Sequence, residues 1–221
     1  MRDAGRARPL TFGSLFSGCG GLDLGFRDAG FIGLGGVDIN ENACKVYEAN
    51  FSCPIQRHDL GSATLPASFP QRVDVLVAGS PCQGFSTAGN RLFSDPRNNL
   101  LLAAGRIAIT LKPRVFVAEN VAGLLAGKHK KYWDDLEQMI RSAGYRVEML
   151  ICQANQLGVP QIRTRVFMLA WRENVDWTVT LPEIPGGNLR SALKNVDGCK
   201  NHEPEFLDPK WSARPFMYQF H

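Results

Sequence analysis

At 221 residues, with 44% apolar and 21% charged side chains, the chain has the length and balance of one globular domain, or of one domain plus a fragment of another. A formal net charge of +4 permits a polyanionic partner without demanding one, and no apolar run is long enough to span a bilayer. The six cysteines, at 19, 44, 53, 82, 152 and 199, form no C-x-x-C pair and no Cys/His spacing suited to zinc, which argues against a disulfide framework or a metal site and for a reducing compartment.

The basic N-terminus, Met1 to Pro9, runs straight into a short apolar stretch and does not read as a signal peptide. Thr11 to Phe16 reads as a buried strand, Ser17 to Gly21 as a tight loop, and Leu22 to Ala29 as a short helix. Phe31 to Val37 is a second strand ending at Asp38. Asn40 then stands as N-cap of a helix reaching Phe51, with Ala43, Val46, Tyr47 and Phe51 at helical spacing. A short strand near Ile55 ends at Asp59-Leu60, and Val73 to Ala78 forms the next. Asn98 to Leu111 is helical and stops before Pro113; Arg114 to Ala118 is a strand leading into Glu119-Asn120. Tyr132 to Ala143 is an amphipathic helix closed by Gly144, and two strands follow, 145–154 and 166–171. Beyond Pro182 the character changes. Pro182, Pro185, Gly186 and Gly187 read as a linker, 188–196 as one short helix, and 197–221 holds no periodic element.

Strands alternating with helices predict an α/β fold with a mostly parallel sheet and helices on both faces. In such sheets ligands lie beyond the carboxyl ends of the strands. Asp38, Asp59, Cys82 and Glu119 all fall at such ends.

Two stretches carry chemistry in their residue types. In Gly79-Ser80-Pro81-Cys82-Gln83 a buried strand stops at a glycine and presents a lone thiol in a turn of small residues. A thiolate there is a competent nucleophile; the structural alternative is an inert core cysteine. In Phe16-Ser17-Gly18-Cys19-Gly20-Gly21, glycines allow backbone to approach a ligand. Gly18 and Gly20 match the dinucleotide fingerprint G-x-G-x-x-G, but Asp23 takes the third glycine's place. A carboxylate at Asp38 suits ribose hydroxyls and one at Asp59 an adenine amino group, while helix capping and turn formation are the structural alternatives.

Together with Glu119-Asn120-Val121 and Gln161-Ile162-Arg163-Thr164-Arg165, these stretches closely resemble the DNA cytosine-5 methyltransferases over about residues 10 to 172, four motifs in the family's order. The resemblance implies a Rossmann-like S-adenosylmethionine-dependent methyltransferase fold. It implies S-adenosylmethionine as cofactor, with Phe16, Gly18, Cys19, Gly20 and Gly21 at its amino-acid end, and Asp38 and Ile39 at ribose and adenine. Asp59 and Leu60 would lie on the adenine edge, and Gly79, Pro81 and Leu100 near the methyl group. The family usually has glutamate where Asp38 stands. Cys82 is implied as the nucleophile toward carbon 6 of cytosine, with Gln83 in the same catalytic set. Glu119 would serve ring nitrogen 3, Asn120 would fix the loop or the carboxyl, and Arg165 would contact the target base. Arg163 would serve the phosphate backbone or local structure. Residues 83–97 would be a loop closing over a flipped nucleotide. Lys128-His129-Lys130-Lys131 reads better as a solvated helix start than as a phosphate contact.

The family's target-recognition domain and final motif are not found after Pro182. The expected organisation is a catalytic and cofactor domain over 1–182, then a linker and the truncated start of a small domain over 183–221. DNA is the expected partner, in a restriction–modification setting in the bacterial cytoplasm or nucleoid, with no membrane. A second polypeptide supplying the absent parts is one explanation, beside a fragment and a truncated product, and the chain alone is expected to be inactive or weakly active on duplex DNA. A tRNA cytosine-5 methyltransferase, a non-catalytic subunit, and a nicotinamide oxidoreductase (weakened by Asp23) are the competing readings.

Overall fold

The computed structural model describes residues 8–81, 98–172 and 179–192. Seven strands form one sheet: β1 (Thr11–Leu15), β2 (Ile32–Asp38), β3 (Ile55–Arg57), β4 (Val75–Ala78), β5 (Val115–Val121), β6 (Tyr145–Gln153) and β7 (Thr164–Arg172), in the order β3-β2-β1-β4-β5-β7-β6. The first five pair in parallel, and β7 runs antiparallel to both β5 and β6. The mostly parallel sheet expected from the sequence is present, closed at one side by a hairpin-like β6–β7 pair.

Among the described residues five α-helices accompany it: α1 (Gly21–Asp28), α2 (Glu41–Asn50), α3 (Asn99–Leu111), α4 (Lys130–Ser142) and the short α5 (Leu189–Ala192). Their ends follow local chemistry. Asn40 caps α2 by accepting from the Ala43 amide at 3.0 Å, an interaction worth about 1 kcal/mol. Gly144, at φ 84°, takes the left-handed conformation that closes α4.

Successive residues of a strand point to opposite faces, and two clusters follow from that alternation. On one face Leu15, Leu76, Ala78, Phe116, Met168 and Ala170 pack with α3 and α4 through Leu101, Ile107, Trp133 and Leu136. A Cβ on Gly105 would meet Leu136 at 2.5 Å, so the α3–α4 crossing depends on that glycine. On the other face Phe12, Val75, Val77, Val117 and Leu169 meet Leu22 and Phe26 of α1. Helices therefore cover both faces, but unequally. An apolar trough of about 540 Å³ lies open on the α1 face, lined by Leu22, Phe26, Val117, Leu150, Phe167 and Leu169 among others.

The stretch after Pro182 differs from a free linker. Ile184 forms a parallel bridge with Leu157, and the amides of Ile184 and Gly186 donate to the carbonyls of Gln156 and Asn155, each at 2.8 Å. Gly186 permits this because a Cβ there would stand 2.9 Å from the Asn155 oxygen. Among the described residues no helix is long and apolar enough to cross a membrane.

Candidate active site

The carboxyl ends of β1, β2 and β3 are joined by a network that begins in the glycine turn. Phe16 leaves β1 with φ 54°, a left-handed conformation that costs a non-glycine residue roughly 1–2 kcal/mol. Gly18 (φ 55°) and Gly20 (φ 88°) continue the turn into α1. Such a turn needs an external hold, and Asp38 at the end of β2 provides one. Its carboxylate accepts from the Gly18 amide and from the Asn40 amide, both at 2.8 Å. Ser17 adds a second hold: its buried hydroxyl accepts from the Val37 amide at 3.1 Å, and its own amide donates to the Val37 carbonyl.

Around this turn the surface is open. A Cβ on Gly18 or Gly21 would meet nothing within 4 Å, Cys19 is exposed, and Ile39 presents 59% of its surface beside Asp38. Asp59 is also exposed and accepts from the Gly61 amide at 2.8 Å, capping a short 3-10 turn over Leu60–Ser62. The Leu60 side chain is buried in the core, so only its backbone and the neighbouring Asp59 face this end of the sheet. The capping role weighed for Asp59 is thus real, and the anchoring role of Asp38 is of the same kind.

The second group lies at the ends of β4, β5 and β7. β4 and β5 are paired through Ala78↔Ala118, so Glu119 stands one residue past the level at which β4 ends. Gly79 there donates its amide to Leu15 at 3.1 Å, tying the ends of β1 and β4 together. Asn120 is buried; its Nδ2 donates to the Ser80 hydroxyl (3.1 Å) and carbonyl (3.3 Å), and its Oδ1 accepts from the Val121 amide. Asn120 therefore fixes the turn that leads to Pro81. Leu100, half-buried, sits in the first turn of α3. Cys82, Gln83 and the loop 83–97 lie outside the described residues.

Arg165 faces Val121 across the β5–β7 ladder, which sets its guanidinium diagonally against Glu119. Nε reaches the Glu119 carboxylate at 2.8 Å, and Nη1 donates to the Thr164 carbonyl. Both side chains keep about a quarter of their surface exposed, 24% for Glu119 and 22% for Arg165. Burial pushes the Glu119 pKa upward, and the charges of Arg165 and Arg163 pull it back without cancelling the rise. A carboxyl poised this way can carry a proton toward a nearby base. Arg163 is exposed; its carbonyl accepts from Ala154, closing the loop before β7.

Of the four-residue charge run, Lys128, Lys130 and Lys131 are exposed about the start of α4, while His129 between them is buried. Lys130 pairs with Asp134 at 2.6 Å and Lys131 with Asp135 at 2.7 Å, both one helical turn on. Sequence reasoning passed over three residues that hold the site: Ser17, Ser80 and Asp23. Ser80 lies inside the cysteine motif, but its partner Asn120 is 40 residues away in another motif. Asp23 was visible only as a missing glycine. Among the described residues no group of three or more His, Cys, Asp or Glu side chains could hold a metal ion.

Comparison with known proteins places these motifs in context. The family model for C-5 cytosine-specific DNA methylases matches residues 10–207. Type II methyltransferase M.XorII of Xanthomonas oryzae pv. oryzae is 33% identical over 86% of this chain and 46% of its own length. Type II methyltransferase M1.HphI of Haemophilus parahaemolyticus is 37% identical over 79% of this chain and 48% of its own. The chain thus spans about half the length of the curated relatives it matches. Among solved structures, a prophage-encoded E. coli protein assigned as a DNA modification methyltransferase superposes with TM-score 0.70 at 28% identity, over 84% of this chain and 54% of that one.

Proposed function

Because the chain belongs to the C-5 cytosine-specific DNA methylase family, we propose that it carries the catalytic portion of an enzyme that methylates carbon 5 of cytosine in DNA, with S-adenosylmethionine as donor. The observation that carries this reading is the Glu119–Arg165 pair at 2.8 Å beside the Asn120–Ser80 lock, at the strand ends from which the cysteine turn departs.

The residues present suit the cofactor. The open backbone at Gly18 and Gly21 would receive its amino-acid end, with Phe16, Cys19 and Gly20 completing the turn. Asp38 has lone pairs beyond those given to Gly18 and Asn40, available to ribose hydroxyls, and the exposed Ile39 offers an apolar face to adenine. Asp59 and the Leu60 backbone would border the adenine edge, and Gly79, Pro81 and Leu100 the reacting end. When bound, the cofactor supplies a methyl group made electrophilic by its sulfonium.

Carbon 5 of cytosine is a poor nucleophile while the ring stays aromatic. Thiolate attack by Cys82 on carbon 6 forms a carbon–sulfur bond and makes carbon 5 enamine-like. Once carbon 5 is methylated, loss of its proton to a base expels the Cys82 thiolate, breaks that bond and restores the ring, so one difficult step is divided into easier ones. The charge pushed into the ring collects at nitrogen 3, where Glu119 donates its proton. Arg165 steadies Glu119 and the base by charge, Arg163 serves the phosphate backbone, and Gln83 belongs to the same catalytic set. The base must leave the duplex for these groups to act on it.

Residues 1–182 then form the catalytic and cofactor domain, and 183–221 the entry to a small recognition domain. Reading of the target sequence then falls to further polypeptide, in the same chain or a second one. The Type II names of its relatives support a restriction–modification role, with the bacterial cytoplasm as its proposed setting.

Duplex DNA carrying 5-fluorocytosine tests this reading, with the cofactor present and the missing portion supplied by a full-length relative's C-terminal half. A denaturant-stable protein–DNA adduct is expected for the wild type and none for Cys82→Ser. Methyl transfer by Cys82→Ser at the wild-type rate would sink the reading.

A further inference from the structure

The proposed cofactor turn rests on a buried polar bridge that none of the motifs contains. Asp23 is fully buried and lies two residues into α1. One carboxyl oxygen accepts from the Ser14 hydroxyl of β1 at 2.8 Å, and the other from the Tyr47 hydroxyl of α2, also at 2.8 Å. Tyr47 is itself fully buried, so three separate elements are pinned at one carboxyl group with no water needed.

The Tyr47 ring is what this bridge holds in place, and the ring is the floor of the turn. A Cβ on Gly20 would stand 3.0 Å from the Tyr47 ring and 2.2 Å from Phe51, so the turn lies directly on these rings. From the opposite side a Cβ on Gly36 of β2 would meet the same ring at 3.3 Å. Tyr47 and Phe51 stack at 4.4 Å, and the Arg27 guanidinium lies 5.2 Å over Phe51. Burial raises the pKa of both Asp23 and Tyr47, which keeps the tyrosine a hydrogen-bond donor at neutral pH. Unlike Asp38, whose carboxylate grips the turn from its open side, this bridge sets the height of the turn from below.

We propose that Ser14, Asp23 and Tyr47 are positioning residues for the amino-acid end of the cofactor, acting through the Tyr47 ring on Gly20 rather than by touching the ligand. The proposal rests on the cofactor reading above and makes a demand which that reading does not: loss of the bridge harms recognition of one end of the ligand only. At the nucleoside end, Asp59 takes its hydrogen bond from Gly61 and Asp38 from the Gly18 and Asn40 amides, none of them members of this bridge.

Calorimetric titration of the full chain with S-adenosylmethionine and with 5′-methylthioadenosine, which lacks the amino-acid end, separates the possibilities. Tyr47→Phe keeps the ring and removes only the hydroxyl; Ser14→Ala serves as the milder second variant. Each is expected to weaken S-adenosylmethionine by about tenfold while methylthioadenosine stays within about twofold, the scale of one buried hydrogen bond. If both ligands weaken together, or neither does while the melting temperature falls, the bridge is structural only and the inference fails. If the wild type binds neither ligand, the cofactor reading fails and takes the inference with it.

Discussion

The strand ends of β1–β3 and those of β4, β5 and β7 hold their carboxylates by different means. Asp38 is tied by two backbone amides, and Asp23 by two neutral hydroxyls. No cation takes part in those bonds, and backbone donors stay in place whatever the pH. Glu119 is instead held by one guanidinium, and its proton affinity is a contest between burial and the charges of Arg165 and Arg163. The first end is built to keep one shape; the second is built to change its charge. That division suits a reaction in which one partner must only be held and the other must be protonated.

The largest effect that tests this contrast comes from Glu119→Gln. If the reacting end works through proton donation, turnover of the completed enzyme should fall by about 10²–10⁴-fold with little change in cofactor affinity. The pH dependence has a defined sign. The Glu119 pKa is raised in the folded chain, so the stability it contributes is fully present below its unfolded value and is lost as pH rises through the folded value. The active, protonated form disappears over the same rise, so the wild-type rate should have a falling limb on the alkaline side of that folded pKa. Arg165→Ala removes a charge that lowers the Glu119 pKa, and should move that limb to higher pH. A limb that stays fixed in Arg165→Ala would mean that Glu119 is not the group titrating.

Asp38→Ala probes the other end, with a smaller effect. It removes the hold on the Gly18 and Asn40 amides as well as the proposed ribose acceptor. Hydrogen bonds to a charged group contribute about 1.5–3 kcal/mol, so cofactor affinity should drop by roughly 10- to 100-fold. Asp38→Glu, the residue usual in the family, should recover most of it. Cofactor affinity unchanged in Asp38→Ala would erase the role given to that end.

Much of this was legible before any coordinates. Strand and helix periodicities placed all seven strands and the four long helices to within a few residues, because each face of the sheet writes its own alternation into the chain. Strand direction was less visible: β7 carries the same apolar run whether parallel or antiparallel, and only the short 154–163 loop hints that β6 and β7 form a pair. Asp38, Asp59 and Glu119 stand out in the sequence because a carboxylate after a buried strand breaks a pattern. Asp23 was missed because one buried aspartate on an amphipathic helix looks like any solvated one; its partners, Ser14 and Tyr47, are 9 and 24 residues away. After Pro182, proline and glycine signal a linker, and composition does not reveal that Gly186 makes close backbone contact with Asn155.

The smallest predicted effect bears on whether charge outside the two ends matters. Lys130 and Lys131 belong to the one basic run in the sequence that invites a nucleic-acid reading. Each is committed to an aspartate on the next helical turn, with side chains half or more exposed for both lysines. Exposed pairs of this kind contribute only about 0.3–0.5 kcal/mol, and a lysine already paired with a carboxylate adds little field at a phosphate. Lys130→Ala and Lys131→Ala together should therefore lower the melting temperature by no more than a few degrees. They should also leave the slope of DNA affinity against salt concentration unchanged in the completed enzyme, because a lost phosphate contact would reduce that slope by nearly one per lysine. A measured reduction of that size would put a DNA-binding surface on α4 and extend the reacting end well beyond the strand termini.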